Sequence, residues 1–128
     1  MASRMRILVA EDDPVSLKLV RDVLEANEYE TACVTSGEAA LRVAAEFKPH
    51  LIVMDIRLPG IDGLETARRL KADPATAPVP IIAVTAHAMP EDEARILAAG
   101  CQAYLPKPLR FSEFVAVVKR LIDGGEVT

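Results

Sequence analysis

The sequence predicts a doubly wound α/β sandwich, a five-stranded parallel sheet of order 2-1-3-4-5 with helices on both faces. Three observations predict it. Short apolar runs alternate with helical patterns five times along the 128 residues. The runs at Arg6-Ile7-Leu8-Val9-Ala10, Leu51-Ile52-Val53-Met54 and Ile81-Ile82-Ala83-Val84 lack polar alternation, as strands buried on both faces do. Strands joined through helices must also run parallel, because the crossover returns the chain to the same end of the sheet.

The elements follow in order. After the first strand, Asp13 as N-cap and Pro14 at the first helical position start a helix. Its apolar stripe is Leu17, Val20 and Leu24, widened by Leu19 and Val23, and Asn27 stops it. Tyr29 to Val34 reads as the second strand. Ser36-Gly37-Glu38 opens a second helix with Ala40, Leu41, Ala44 and Phe47 inward, ended by Pro49. Residues 51–54 form the third strand, and Asp62 with Glu65 has capping-box spacing for a helix over roughly Gly63 to Lys71. Three prolines in residues 72–80 make a loop before the fourth strand at Ile81. Pro90 followed by three acids starts the fourth helix, and Gly100 closes it. Cys101 to Leu105 is a short fifth strand, placed at an edge because Pro106 cannot donate to a ladder. Phe111, Phe114, Val115, Val118, Leu121 and Ile122 line the last helix.

Composition narrows the class. A chain of 128 residues is long enough for one domain with a core and too short for two. The net charge of -4, with no basic stripe, argues against nucleic acid as a direct ligand. No apolar run approaches the roughly 18 residues of a membrane span, and no signal peptide is evident. Cys33 and Cys101 lack metal-ligand spacing and read as small packing residues. A soluble, cytoplasmic domain without membrane contact is expected.

The chemistry gathers at the carboxyl ends of the strands, where open α/β sheets bind ligands. The first strand ends in Glu11 and Asp12, the third in Asp55, the fourth in Thr85 and the fifth in Lys107. Taken singly these are ordinary: Asp12 or Asp13 caps a helix, Thr85 does the same, and Lys107 is a solvated lysine. Taken together they place three acids, a hydroxyl and an ammonium around one crevice. A hard divalent cation relieves such crowding, and Mg2+ takes carboxylates, a backbone carbonyl and water. Mn2+ is the alternative ion. With a phosphoryl donor, Asp55 becomes a nucleophile and Lys107 and Thr85 meet the transferred oxygens.

Glu11-Asp12-Asp13-Pro14, the run from Met54 to Gly63, Thr85-Ala86 and Lys107-Pro108 together resemble the receiver domain of two-component response regulators, the CheY-like family. The resemblance covers about residues 5–123. Ala83-Val84-Thr85-Ala86, Ala88-Met89, Gly100-Cys101 and Ala103-Tyr104 resemble the DivK-type single-domain regulators in particular. It implies that Asp55 accepts a phosphoryl group from a phosphohistidine on a histidine kinase or histidine phosphotransfer protein. Asp12 and Asp55 would bind Mg2+ directly with the Arg57 backbone carbonyl, and Glu11 largely through water. Glu11 stands where many members carry aspartate. Thr85 and Lys107 would contact the phosphoryl group, Tyr104 would be the switch aromatic, and Lys107-Pro108 would be cis. The face of the fourth helix, fifth strand and fifth helix would carry the output. Arg57 and His87 flank the phosphoryl site at positions that vary in the family, and are expected to tune the lifetime of the phosphorylated state.

A phosphatase of the haloacid dehalogenase type would want an acid where Arg57 stands. A nucleotide switch would want a glycine-rich phosphate loop, and a flavodoxin-like module would want donors where the first loop is acidic. The expected function is therefore a phosphorylation switch, not an enzyme beyond its own phosphorylation and dephosphorylation. With no DNA-binding or catalytic output domain in the sequence, its output is expected to be protein contact or phosphorelay.

Overall fold

Side chains of successive strand residues point to opposite faces, so a strand apolar throughout needs a cover on each side. The computed structural model, which describes residues 4–86 and 90–124, provides both covers. The strands are β1 (Arg6–Ala10), β2 (Glu30–Val34), β3 (Leu51–Asp55), β4 (Ile81–Thr85) and β5 (Ala103–Pro106). The helices are α1 (Pro14–Ala26), α2 (Gly37–Phe47), α3 (Gly63–Ala72), α4 (Pro90–Ala98) and α5 (Phe111–Ile122). All pairings are parallel and the order is β2-β1-β3-β4-β5, as the sequence predicts.

Two apolar layers result. Ile7, Val9, Val53, Ile82 and Val84 turn to one face, where Val20 and Leu24 of α1 and Phe114, Val118 and Leu121 of α5 cover them. Leu8, Ala10, Ile52, Met54 and Ala83 turn to the other, beneath residues of α2, α3 and α4. Alanines at 40, 44 and 67 let the second set of helices approach closely.

The caps act as the sequence indicates. Asp13 accepts from the Ser16 backbone N–H at 3.1 Å and its hydroxyl at 2.7 Å. Ser36 accepts from Ala39 N–H at 3.1 Å, and Asp62 from Glu65 N–H at 2.8 Å. The proline-rich segment before β4 is tied down from α3. The Thr76 hydroxyl donates to the Leu70 carbonyl at 2.6 Å, while Lys71 Nζ reaches the carbonyls of Ala77 and Val79 at 3.0 and 2.6 Å.

Four expectations need correction. β2 begins at Glu30 because Glu28 adopts a left-handed φ of 69° and Tyr29 N–H closes α1 by donating to Leu24. β5 likewise begins at Ala103, since Gly100 turns at φ 101° and Cys101 N–H donates back to Ile96. Both are helix-ending turns that take the N–H a strand would otherwise use. Leu19 is exposed, lying about 100° around α1 from Val20 on the side away from Leu24. In α5 the buried face turns toward Val117, leaving Val115 and Ile122 at its margin. Cys33 is half-buried, Cys101 is buried, and both are free thiols.

Phe114 has no exposed surface and seals the α5 layer. Phe114→Ala is expected to cost about 3–5 kcal/mol of unfolding free energy, read from urea titration.

Candidate functional site

Strand register assembles the site. Ala10 pairs with Met54, Asp55 with Val84, and Thr85 with Pro106, so the residues leaving β1, β3, β4 and β5 arrive at one edge. Glu11 is fixed there by donating its N–H to Val34 at 3.0 Å, and Lys107 by donating its own to the Thr85 carbonyl at 2.8 Å.

Carboxylate oxygens of Glu11, Asp12 and Asp55 lie within 4.8 Å of one another. Asp55 is buried, with Oδ1 accepting from the Arg57 backbone N–H at 2.9 Å and Oδ2 meeting Lys107 Nζ at 3.0 Å. Lys107 also reaches Glu11 Oε1 at 2.6 Å, and Glu11 Oε2 accepts from Asp13 N–H at 3.2 Å. One ammonium thus spans two buried carboxyls, and the Lys107-Pro108 bond beside it is cis. Burial, and contact with the Asp55 carboxyl, push the Glu11 carboxyl from an ordinary 4.5 up to about 7, although Lys107 and the Asp13 N–H pull the other way. Burial lowers the Lys107 ammonium, but its bonds to Glu11 and Asp55 outweigh that and leave it raised.

Thr85 is buried at the end of β4 and lines a groove of about 510 Å³ with Asp12, Arg57 and Arg95. A second cavity of about 390 Å³ opens from Asp55 and Lys107 toward α1 and Phe111, between apolar walls. Tyr104 stands apart, half-buried on β5, with its hydroxyl 3.4 Å from a Glu93 carboxylate oxygen on α4. Glu11, Asp12, Asp55 and Lys107 are therefore brought together, with Thr85 and Arg57 on their margin. His87 lies outside the described residues. Sequence reading missed the Arg57 N–H and Asp13 N–H donors, which are backbone groups with no residue signature. It also missed Glu38, whose place in the first turn of α2 looks like ordinary dipole compensation.

This fold and this edge belong to a known class. The chain is a member of the response regulator receiver domain family, whose description matches residues 7–119. Within it the chain is DivK-like. It is 45% identical over 119 residues to the polar-differentiation response regulator DivK of Brucella ovis, a match covering 93% of this chain and 97% of that one. The DivK of Brucella anthropi is 44% identical over the same length. Among solved structures, the receiver domain of a sensor histidine kinase from Pseudomonas aeruginosa PAO1, with a magnesium ion coordinated in its active-site cleft, is 35% identical. It superposes with a TM-score of 0.88 and covers 94% of this chain and 99% of that one. A CheY-like receiver domain protein from Methanospirillum hungatei is 27% identical at a TM-score of 0.89, covering 95% and 96%. The protein is a two-component response regulator receiver.

A carboxyl raised from 4.5 to about 7 holds its proton more tightly folded than unfolded, so the burial of Glu11 opposes folding progressively as pH rises through that window. Thermal unfolding midpoints are expected to fall across it in wild type, and Glu11→Gln is expected to flatten the slope.

Proposed function

We propose that Asp55 is the phosphoacceptor and that a histidine kinase or histidine phosphotransfer protein supplies the phosphoryl group from a phosphohistidine. The observation that carries this reading is the buried Asp55 carboxylate, held on one oxygen by the Arg57 N–H and on the other by Lys107, beside two further acids. A carboxylate so oriented is a prepositioned nucleophile. An Asp55 oxygen bonds to phosphorus as the bond from phosphorus to the donor imidazole breaks, and the imidazole leaves and takes up a proton. The Lys107 ammonium, freed from part of its pairing with Asp55, meets the phosphoryl oxygens, and the Thr85 hydroxyl donates to them.

The three clustered carboxyls are the right donor set for a hard cation. Asp12, Asp55 and the Arg57 carbonyl would hold Mg2+, with Glu11 acting through water, and Mn2+ can occupy the same oxygens. The ion supplies neutralisation of charge on the transferred phosphoryl group. Lys107 spreads positive charge over Glu11 and Asp55.

Phosphorylation then favours one of two pre-existing states, in which Thr85 and Tyr104 move inward. Tyr104 sits where such a movement reaches α4, since its hydroxyl faces Glu93. The face of α4, β5 and α5 is the proposed effector surface. The chain acts as one receiver unit with its core at about 5–123, in the cytoplasm, turning over only its own acyl phosphate. Among the described residues, no helix is long and apolar enough to cross a membrane. Arg57 and His87 set how readily water attacks that acyl phosphate.

Phosphoramidate or acetyl phosphate should add one phosphoryl group to wild type in the presence of Mg2+, read by intact mass, and none to Asp55→Asn. Labelling that survives in the mutant, or fails in wild type, would overturn the assignment. The decay rate should change in Arg57→Ala, in His87→Ala or in both. Decay unaltered in both variants would remove these two residues from the control of lifetime.

A further inference from the structure

We propose that Glu38 is a positioning residue for the metal half of the site, acting through the loop that carries Arg57. The inference rests on the reading of the Arg57 carbonyl as a backbone ligand. Glu38 lies in the first turn of α2, on a different element from every acid of the site. Its Oε1 accepts the Ile61 N–H at 2.9 Å, a bond spanning 23 residues of sequence. That bond draws the Glu38 carboxyl below its usual range.

The loop between β3 and α3 is held at three places. At its start, Arg57 N–H donates to Asp55 Oδ1 at 2.9 Å. At its end, Gly63 N–H donates to the Ile56 carbonyl at 2.8 Å. Glu38 holds the middle. Around this bond the backbone is too close for side chains. Gly60 turns at φ 77°, and a Cβ there would collide with the Glu38 carboxylate. A Cβ at Gly37 would collide with Thr66 Oγ1 and lie 2.7 Å from the Ile61 carbonyl. Close approach of this kind is what an absent side chain permits, and it seats the start of α2 directly on the loop. An exposed acid serving only the α2 dipole would need none of it. The consequence is that the Arg57 carbonyl lies between two anchored points of the loop, Arg57 N–H on Asp55 and Ile61 N–H on Glu38. Remove the second and the loop keeps its fold but loses the fixed placement of its carbonyls.

The test is an amide-resolved NMR titration with MgCl2 alone on wild type, Glu38→Ala and Glu38→Gln, together with amide exchange at Ile61 in metal-free protein. Glu38→Ala should weaken Mg2+ about three- to tenfold, the factor corresponding to one hydrogen bond of ordinary net strength, and speed Ile61 exchange. Glu38→Gln should recover most of both, because an amide oxygen still accepts the Ile61 N–H. Wild-type affinity in Glu38→Ala would overturn the role, as would a Glu38→Gln variant no better than alanine. If wild type itself shows no Mg2+-dependent shift, the metal reading fails and the role of Glu38 fails with it, an outcome distinct from equal binding in all three.

Discussion

The Lys107 ammonium lies between the carboxyls of Glu11 and Asp55, and much of the molecule serves to keep those three groups in reach of one another. Like charges do not share a buried edge without compensation, and the usual outcome is protonation or a counter-charge. Both are present. Lys107 bridges the pair, and Glu11 holds its proton to unusually high pH. The edge is thus balanced around a cation that arrives from the far end of the sequence, 96 residues from Glu11.

What makes this balance affordable is the sheet. Parallel strands end together, so a strong register at Ala10, Asp55 and Thr85 translates directly into proximity of the groups that follow. The ladder in turn depends on two apolar layers pressing from opposite faces. No buried side-chain nitrogen or oxygen among the described residues lacks a hydrogen-bond partner, which fits a charged edge assembled with its compensations in place.

Most of this was legible in the residues. Strands buried on both faces announce themselves as unbroken apolar runs, and the acids that follow β1 and end β3 have no other place to go than the carboxyl edge. Caps at Asp13, Ser36 and Asp62 carry short-range signals that tertiary packing does not override. Other features were hidden for physical reasons. Periodicity finds a helical stripe but not its rotation, which is why Leu19 faces solvent and Val117 does not. The strand starts at Tyr29 and Cys101 were claimed by helix-closing turns, one of them at Glu28, a residue with no special preference for a left-handed φ. The expected meeting of Lys107 with a phosphoryl group gave no hint that it bridges Glu11 and Asp55 beforehand. Backbone donors at Arg57 and Asp13 leave no trace in composition at all.

The helices α1 and α5 share one layer, although among the described residues they are the first and last helices. This has a bearing on synthesis. A nascent chain emerging from the ribosome can pair β1 with β2 and β3, and can complete the layer of α2, α3 and α4, while the opposite face still waits for Phe114 and Leu121. Until the twelve-residue α5 is released, Ile7, Val9, Val53 and Val84 lack the cover of Phe114, Val118 and Leu121. A chain made only as far as β5 thus leaves one apolar face short of its cover, the kind of surface on which chaperones act. The last turns of α5 close that face, so a chain that stops short of them leaves it open, even with the residues of its acidic edge already present.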